Sequence, residues 1–175
     1  MKARKCPMAQ RLPILYQNKP CYDIYITRDF ADITQEFAPF VTPGQKICIV
    51  TDSNVRNQHA DALKAELDKL SGKVDIYTVP AGENNKTLDS VRDIYTFLIR
   101  EGYGRKDLLV ALGGGVIGDM TGYTAATYLR GVDYIQVPTT LLAQCDSSIG
   151  GKTGVDFDGY KNMVGAFKMP RLVYM

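Results

Sequence analysis

A short apolar run, residues 108–112 (LLVAL), leads directly into Gly113-Gly114-Gly115-Val116-Ile117-Gly118-Asp119. No other stretch restricts the fold as strongly. A run this short and this apolar reads as a strand covered on both faces. The glycines satisfy G-x-G-x-x-G in its required setting, with a strand before and a helix after. Glycine lets the backbone approach a pyrophosphate, and a helix N-terminus aims N–H donors at it. A tight turn with close helix–sheet packing accounts for the same glycines without a ligand. The strand–turn–helix setting favours phosphate binding. The standard fingerprint also wants an acid about 20 residues on, at the end of the next strand. Asp133 has that count but precedes its strand. Asp52, beside Asn54, sits at the correct end of an earlier strand. The glycine turn is therefore not the first strand–helix unit, and the domain carries the usual parts in a different order.

The flanking sequence alternates between strand and helix patterns. Strand-like stretches fall at residues 22–26, 46–50, 74–79, 134–137 and 172–174. Residues 54–70 place Val55, Ala60, Leu63, Leu67 and Leu70 on one helical face, and residues 87–100 do the same with Leu88, Val91, Ile94, Tyr95 and Leu98. Gly102 is a helix stop. Residues 117–130 read as a helix rich in small side chains. This alternation predicts an α/β, Rossmann-like fold, a mostly parallel sheet with helices on both faces. The 175 residues suit one domain, divided here into a lead-in at 1–21 and the domain proper at 22–175. The lead-in holds five Lys/Arg and no acid but lacks a signal peptide's apolar stretch, so it reads as flexible or as an edge segment. Met175 falls inside an apolar run, which reads as a cut within a longer protein or as a final edge strand.

Composition removes several functions. Hydrophobic residues are 45% and charged residues 23%, which argues against disorder. A net charge of +2 is too small to call for nucleic acid or a membrane surface. No apolar run approaches a membrane span. Cysteines stand at 6, 21, 48 and 145 with no C-x-x-C pair, which predicts buried thiols in a reducing compartment, the cytoplasm. His59 is the one histidine, so a zinc site of four Cys/His ligands cannot form, and its plain reading is a surface or half-buried helix residue.

Two polar segments hold the remaining chemistry. The loop at 80–86 (PAGENNK) follows a strand on the same sheet edge, with Glu83 placed for ribose hydroxyls and Lys86 for an anion. By itself it reads as a solvated helix entry. Residues 138–162 begin with Thr139 and Thr140 after a strand and include Asp146, Lys152, Lys161 and Asn162. Polar groups this dense between apolar runs point to a ligand site. Gly151-Lys152-Thr153 ends like a P-loop, but Asp146 stands where its first glycine belongs, and a carboxylate there would oppose phosphate.

GGGVIGDMTGYTAATYLRG, then QVPTTLLAQCDSSIGGKTGV and KNMVGAF, closely resembles the 3-dehydroquinate synthase family. The likeness runs from Asp52 to Met175 and is densest over residues 113–167. It implies conversion of 3-deoxy-D-arabino-heptulosonate 7-phosphate to 3-dehydroquinate and phosphate, a step of the shikimate pathway toward aromatic amino acids. In such a reaction NAD transiently oxidises a hydroxyl, which acidifies the neighbouring C–H so that phosphate can leave, and a metal polarises the developing oxyanion. By resemblance, Asp52 and Asn54 are adenosine-side contacts and Glu83 and Lys86 the ribose-side loop. Gly114, Gly115, Val116 and Asp119 match the pyrophosphate turn, and Thr139, Thr140 and Lys161 further NAD contacts. Asp146, Lys152 and Asn162 match substrate positions, with Lys152 suited to the phosphate or carboxylate. Arg130 matches an arginine that reaches the other subunit's active site in a homodimer; by itself it reads as a cation favouring a helix C-terminus.

The family's divalent metal, zinc or cobalt, is held by one glutamate and two histidines in a following helical domain. Those ligands are absent from this chain, so no metal residue is assigned and the chain alone is expected to be inactive. Some positions depart from the family pattern: Cys145 replaces an aliphatic residue, Tyr160 a glycine, and Lys168-Met169 a Tyr-Gln pair. Three rivals stand beside this reading. One is another NAD-dependent sugar-phosphate cyclase, such as a 2-deoxy-scyllo-inosose synthase. A second is a metal-dependent alcohol or glycerol dehydrogenase, and a third a stand-alone NAD-binding module.

Overall fold

The computed structural model describes residues 10–175. In chain order the elements are β1 (Gln10–Tyr16), β2 (Lys19–Ile26), α1 (Ile33–Phe37), β3 (Lys46–Asp52), α2 (Ser53–Val55), α3 (Asp61–Leu67) and β4 (Lys73–Val79). Then follow α4 (Leu88–Arg100), β5 (Leu108–Gly113), α5 (Gly115–Thr127), β6 (Asp133–Pro138), β7 (Lys152–Phe157), β8 (Tyr160–Phe167) and β9 (Leu172–Tyr174). Seven strands form one sheet in the order β1-β2-β9-β6-β5-β3-β4. Only the β1–β2 pair is antiparallel.

Side chains alternate across the central strands and so build a core on each face. Ile47 and Ile49 of β3 pack with Phe37, Leu63 and Leu67 of α1 and α3. Their neighbours Cys48 and Val50 pack with Ile94 and Leu98 of α4 on the other face. A fully buried Leu or Ile contributes about 1.5–3 kcal/mol, which is why the centres of β3 and β5, residues 47–50 and 108–112, are apolar on both faces. Helix α4 is closed at both ends by local chemistry. Thr87 Oγ1 accepts from the Ser90 N–H at 3.2 Å, an N-cap. At the other end Tyr103 N–H returns to Leu98 O and Gly102 N–H to Ile99 O, with Gly102 at φ +68°. That pairing is a Schellman close, and Lys46 Nζ adds bonds to the carbonyls of Glu101 and Gly102.

Three sequence expectations need correction. Residues 54–70 are not one helix, because a π-helical turn at Arg56–Ala60 separates α2 from α3. The helix expected to reach Arg130 ends at Thr127; Leu129 and Arg130 adopt left-handed φ of 50° and 69° before Gly131. Cys21 and Cys145 are exposed, and among the described residues only Cys48 is a buried thiol, pushed up in pKa by that burial. Cys6 lies outside the described residues. From Gln10 onward the expected lead-in is the edge hairpin of the sheet. His59 is exposed and meets Phe30 edge-to-face at 6.5 Å. No described helix is long and apolar enough to cross a membrane.

The stretch between β6 and β9 holds a second sheet that periodicity did not reveal. β7 and β8 pair antiparallel across Asp158-Gly159, both at positive φ, the signature of a two-residue hairpin turn. The hairpin lies on α5, where Val155 joins Ile117 and Met120 in a small core. Glycine makes this approach possible: a Cβ on Gly122 would collide with Thr153 Cγ2 and stand 3.1 Å from the Tyr134 hydroxyl. Gly122→Ala is therefore expected to cost about 2–3 kcal/mol through overpacking. Gly72→Ala, with nothing within 4 Å of the new methyl, is expected to stay within about 1 kcal/mol of the parent. Urea unfolding of the two variants measures both.

Candidate functional site

Parallel pairing places one edge of the sheet at the ends of many strands. Asp52 pairs with Val79 and Gly113 with Pro138, so Asp52, the 80–86 loop, the glycine turn and Thr139-Thr140 all emerge together. Such an edge is where ligands bind in open α/β sheets. Gly114 is the N-cap of α5, and among the described residues no side chain caps this helix. The N–H groups of its first turn therefore point at the edge without a side-chain acceptor, the geometry that receives a phosphate.

The glycines here serve proximity rather than unusual dihedrals. Gly113, Gly114, Gly115 and Gly118 all have negative φ. A Cβ on Gly115 would come within 2.9 Å of Ser147 Oγ, and one on Gly118 within 2.7 Å of Gln136 Oε1. On Gly114 it would stand 3.1 Å from Thr140 Cγ2. Close packing thus accounts directly for the motif, and it leaves the helix N-terminus bare. The residues present fit an NAD pyrophosphate: a bare first turn, flanked by a loop drawn in against glycine.

Asp52 has a local duty. Its Oδ1 accepts from Asn54 N–H at 2.8 Å and Val55 N–H at 3.0 Å, which holds Asn54 exposed on the edge. Ser53 Oγ accepts from Ala81 N–H at 3.1 Å and ties the 80–86 loop to the same corner. Thr139 N–H donates to Gly113 O, and Thr140 Oγ1 accepts from Ala143 N–H at 3.2 Å. Val116 is half-buried in the first turn of α5.

Lys86 joins this edge to a cavity. Its side chain is only 5% exposed, and its ammonium donates to Asp119 Oδ2 at 2.6 Å and to Asn162 Oδ1 at 2.5 Å. Burial pushes the Asp119 carboxyl above its ordinary range, and the Lys86 ammonium opposes that shift. A lysine can only donate, so Asn162 must present its oxygen to Lys86. Its Nδ2 donors are then left for the cavity that Asn162 lines. Lys161 and Glu83 meet at 3.4 Å across the same gap, an exposed pair of small energetic weight.

The cavity measures about 530 Å3 and is bordered by Asp119, Asp146, Lys152 and Asn162, with Ser147 and Phe167. That volume suits a small metabolite. Two carboxylates, an ammonium and an amide donor can together bind a polyhydroxylated anion. The expected cofactor and substrate residues thus converge, with one exception. Arg130 is exposed beyond the C-terminus of α5, on the edge where β6 begins, opposite to the cavity edge. No described group of three His, Cys, Asp or Glu can hold a metal ion, so the residues present do not fit a divalent metal by themselves. The sequence reading passed over Asp156, whose carboxylate accepts the Asn162 N–H at 2.8 Å. The Asp158-Gly159 pair two residues later was the available signal for the hairpin that carries it.

Comparison with known proteins agrees with this geometry. Residues 76–175 match the family described as 3-dehydroquinate synthase N-terminal. The 3-dehydroquinate synthase of Acetivibrio thermocellus is 47% identical over 154 residues, covering 88% of this chain and 42% of that protein. The chain thus spans less than half the length of the curated relatives it matches. A 2-deoxy-scyllo-inosose synthase, solved with carbaglucose-6-phosphate, NAD+ and Co2+, superposes with a TM-score of 0.86 at 28% identity. That likeness covers 94% of this chain and 45% of the other. The 2-epi-5-epi-valiolone synthase of Streptomyces hygroscopicus, solved with NAD+ and Zn2+, gives 0.75 at 27% identity over 93% of this chain and 45% of its own.

Removing one partner of a buried ion pair strands the other, at a typical cost of about 3–5 kcal/mol. Asp119 keeps 18% of its side chain exposed, so Lys86→Met is expected to fall near the lower end, about 3 kcal/mol. Protonation of Asp119 removes the stranded charge. The gap between variant and parent should therefore narrow as pH falls through the raised titration of that carboxyl. Urea unfolding across a pH series reads both effects.

Proposed function

This chain belongs to the 3-dehydroquinate synthase family, as its N-terminal part, and we propose that it supplies the NAD-binding half of an enzyme making 3-dehydroquinate and phosphate from 3-deoxy-D-arabino-heptulosonate 7-phosphate. The observation that carries this reading is the Lys86 network, which joins the cofactor edge to a cavity lined by Asp146, Lys152 and Asn162. NAD, when bound, supplies reversible oxidation of a substrate hydroxyl and so acidifies the adjacent carbon. The chain's own residues bind and orient. The first turn of α5 and the glycine-flanked loop receive the pyrophosphate, and Asp52, Asn54 and Glu83 face the ribose and adenine side. Thr139, Thr140 and Lys161 complete the cofactor edge. Lys152 pairs with an anionic group of the sugar phosphate, and Asn162 Nδ2 donates to one of its oxygens. Asp146 accepts from a substrate hydroxyl.

The same reading places residues 22–175 as the cofactor domain and the metal ligands in a helical domain outside this chain. It makes the working enzyme a homodimer in which Arg130, remote from its own cavity, serves the partner's. Free cysteines at 21, 48 and 145 support a reducing compartment, the cytoplasm. The likeness to 2-deoxy-scyllo-inosose synthase favours a second reading, a cyclase acting on a different sugar phosphate.

The test is turnover by the gene product that carries this chain, given NAD and zinc. Release of phosphate and 3-dehydroquinate from the heptulosonate phosphate, with no net NADH, is the expected result. Cyclisation of glucose 6-phosphate instead would establish the second reading, and accumulating NADH would make the protein a dehydrogenase. The 175-residue chain alone, with zinc added, is expected to give no turnover.

A further inference from the structure

We propose that Asp156, which no part of the family likeness singles out, is the positioning residue that aims Asn162 into the cavity. The inference rests on the reading of that cavity as the sugar-phosphate site. It begins with a register fault. Val155 pairs with Val164 and Phe157 with Tyr160, so Asp156 alone on β7 faces residues 161–163 on β8. The extra residues form a bulge and leave the ladder. Asn162 sits at its centre with φ +56°, a left-handed conformation that asparagine tolerates better than most residues.

The bulge takes the exposed Asn162 N–H out of the ladder, and Asp156 Oδ1 accepts it at 2.8 Å. The same residue's backbone N–H donates to Lys86 O at 2.9 Å. Lys86 Nζ then returns to Asn162 Oδ1. Three bonds close a circuit through Lys86, Asp156 and Asn162. One arm fixes the Asn162 backbone and another fixes which end of its amide faces inward. Asp156 is half-buried and does not border the cavity, so it acts through Asn162 rather than on a ligand. Without its carboxylate the exposed Asn162 N–H turns to water, the bulge can slide to a regular register, and the amide turns away.

The 175-residue chain can be compared with D156A, D156N and D156S by NMR. The ligand-free readouts are hydrogen exchange at the Asn162 amide and the shift of its side-chain NH2. The ligand readout is titration of the gene product that carries this chain, parent and variants, with 3-deoxy-D-arabino-heptulosonate 7-phosphate in saturating NAD and zinc. D156A is expected to speed exchange at Asn162 about tenfold and to move its side-chain signal. It should also weaken sugar-phosphate binding by about tenfold, while the unfolding midpoint changes little. D156N, whose amide oxygen can accept the same bond, is expected to restore all three readouts. D156S, too short to reach, should behave as D156A and carries the comparison if D156A does not fold. Unchanged exchange and shift at Asn162 in the Ala or Ser variant, or no restoration by Asn, would overturn the proposal. Failure of the gene product that carries this chain, given NAD and zinc, to bind the sugar phosphate would sink the substrate reading instead; the exchange readout then decides on Asp156 by itself.

Discussion

Helix α5 lies closer to its neighbours than a helix with ordinary side chains could, and the site is built on that closeness. Glycines at 113, 115, 118 and 122 each face an atom that would overlap a Cβ. Four different segments use these gaps: the helix's own Ile117, the π-helical turn Ala143–Ser147 through Ser147, Gln136 of β6 and Thr153 of β7. The helix is thereby pressed against the sheet on one side and covered by the hairpin on another. Its N-terminus stays open at the edge where the parallel strands end. Polar groups from distant parts of the sequence are brought within hydrogen-bond range only because no side chain intervenes.

Lys86 exploits this enclosure. An ammonium so deeply buried is tolerated only with acceptors at hand, and it finds one on α5 and one on β8. The charge holds three segments in one arrangement, so the sheet edge and the cavity are mechanically a single unit. The rim behaves differently. Lys161 and Glu83 are exposed, and their attraction is screened by solvent. Geometry is therefore specified from within, by the buried ion pair, and left adjustable at the surface.

What the sequence disclosed follows the same physical division. Short apolar runs display the central strands, and a cap with a Schellman glycine displays both ends of α4, because each leaves a mark in local composition. The β7–β8 hairpin left only its Asp158-Gly159 turn. Its contacts are made by Gly154, Gly165 and Thr153 rather than by alternating large side chains, and packing through missing atoms has no hydropathy signal. The π-helical turn at Arg56–Ala60 was equally silent, since an extra residue in a turn barely disturbs a helical pattern. Lys86 looked solvated in PAGENNK, for its partners stand 33 and 76 residues further on. Only the family likeness raised that loop above a helix entry, and Asp156 lay outside even that.

The place of β9 within the sheet sets an order on folding. It lies between β2 and β6, although its residues are the last strand of the chain. Asp23 of β2 meets Leu172 of β9, so the N-terminal hairpin joins the rest of the sheet only through a strand about 150 residues away. During synthesis the hairpin emerges before the other strands of this sheet and must wait for the whole of the intervening fold. A two-stranded ribbon of this kind is marginal in water. The central strands, each beside a partner near in sequence, can assemble before it. This edge hairpin is thus the last part of the sheet to dock, by a long-range closure of the sort that slows folding and exposes unpaired strand edges to other chains.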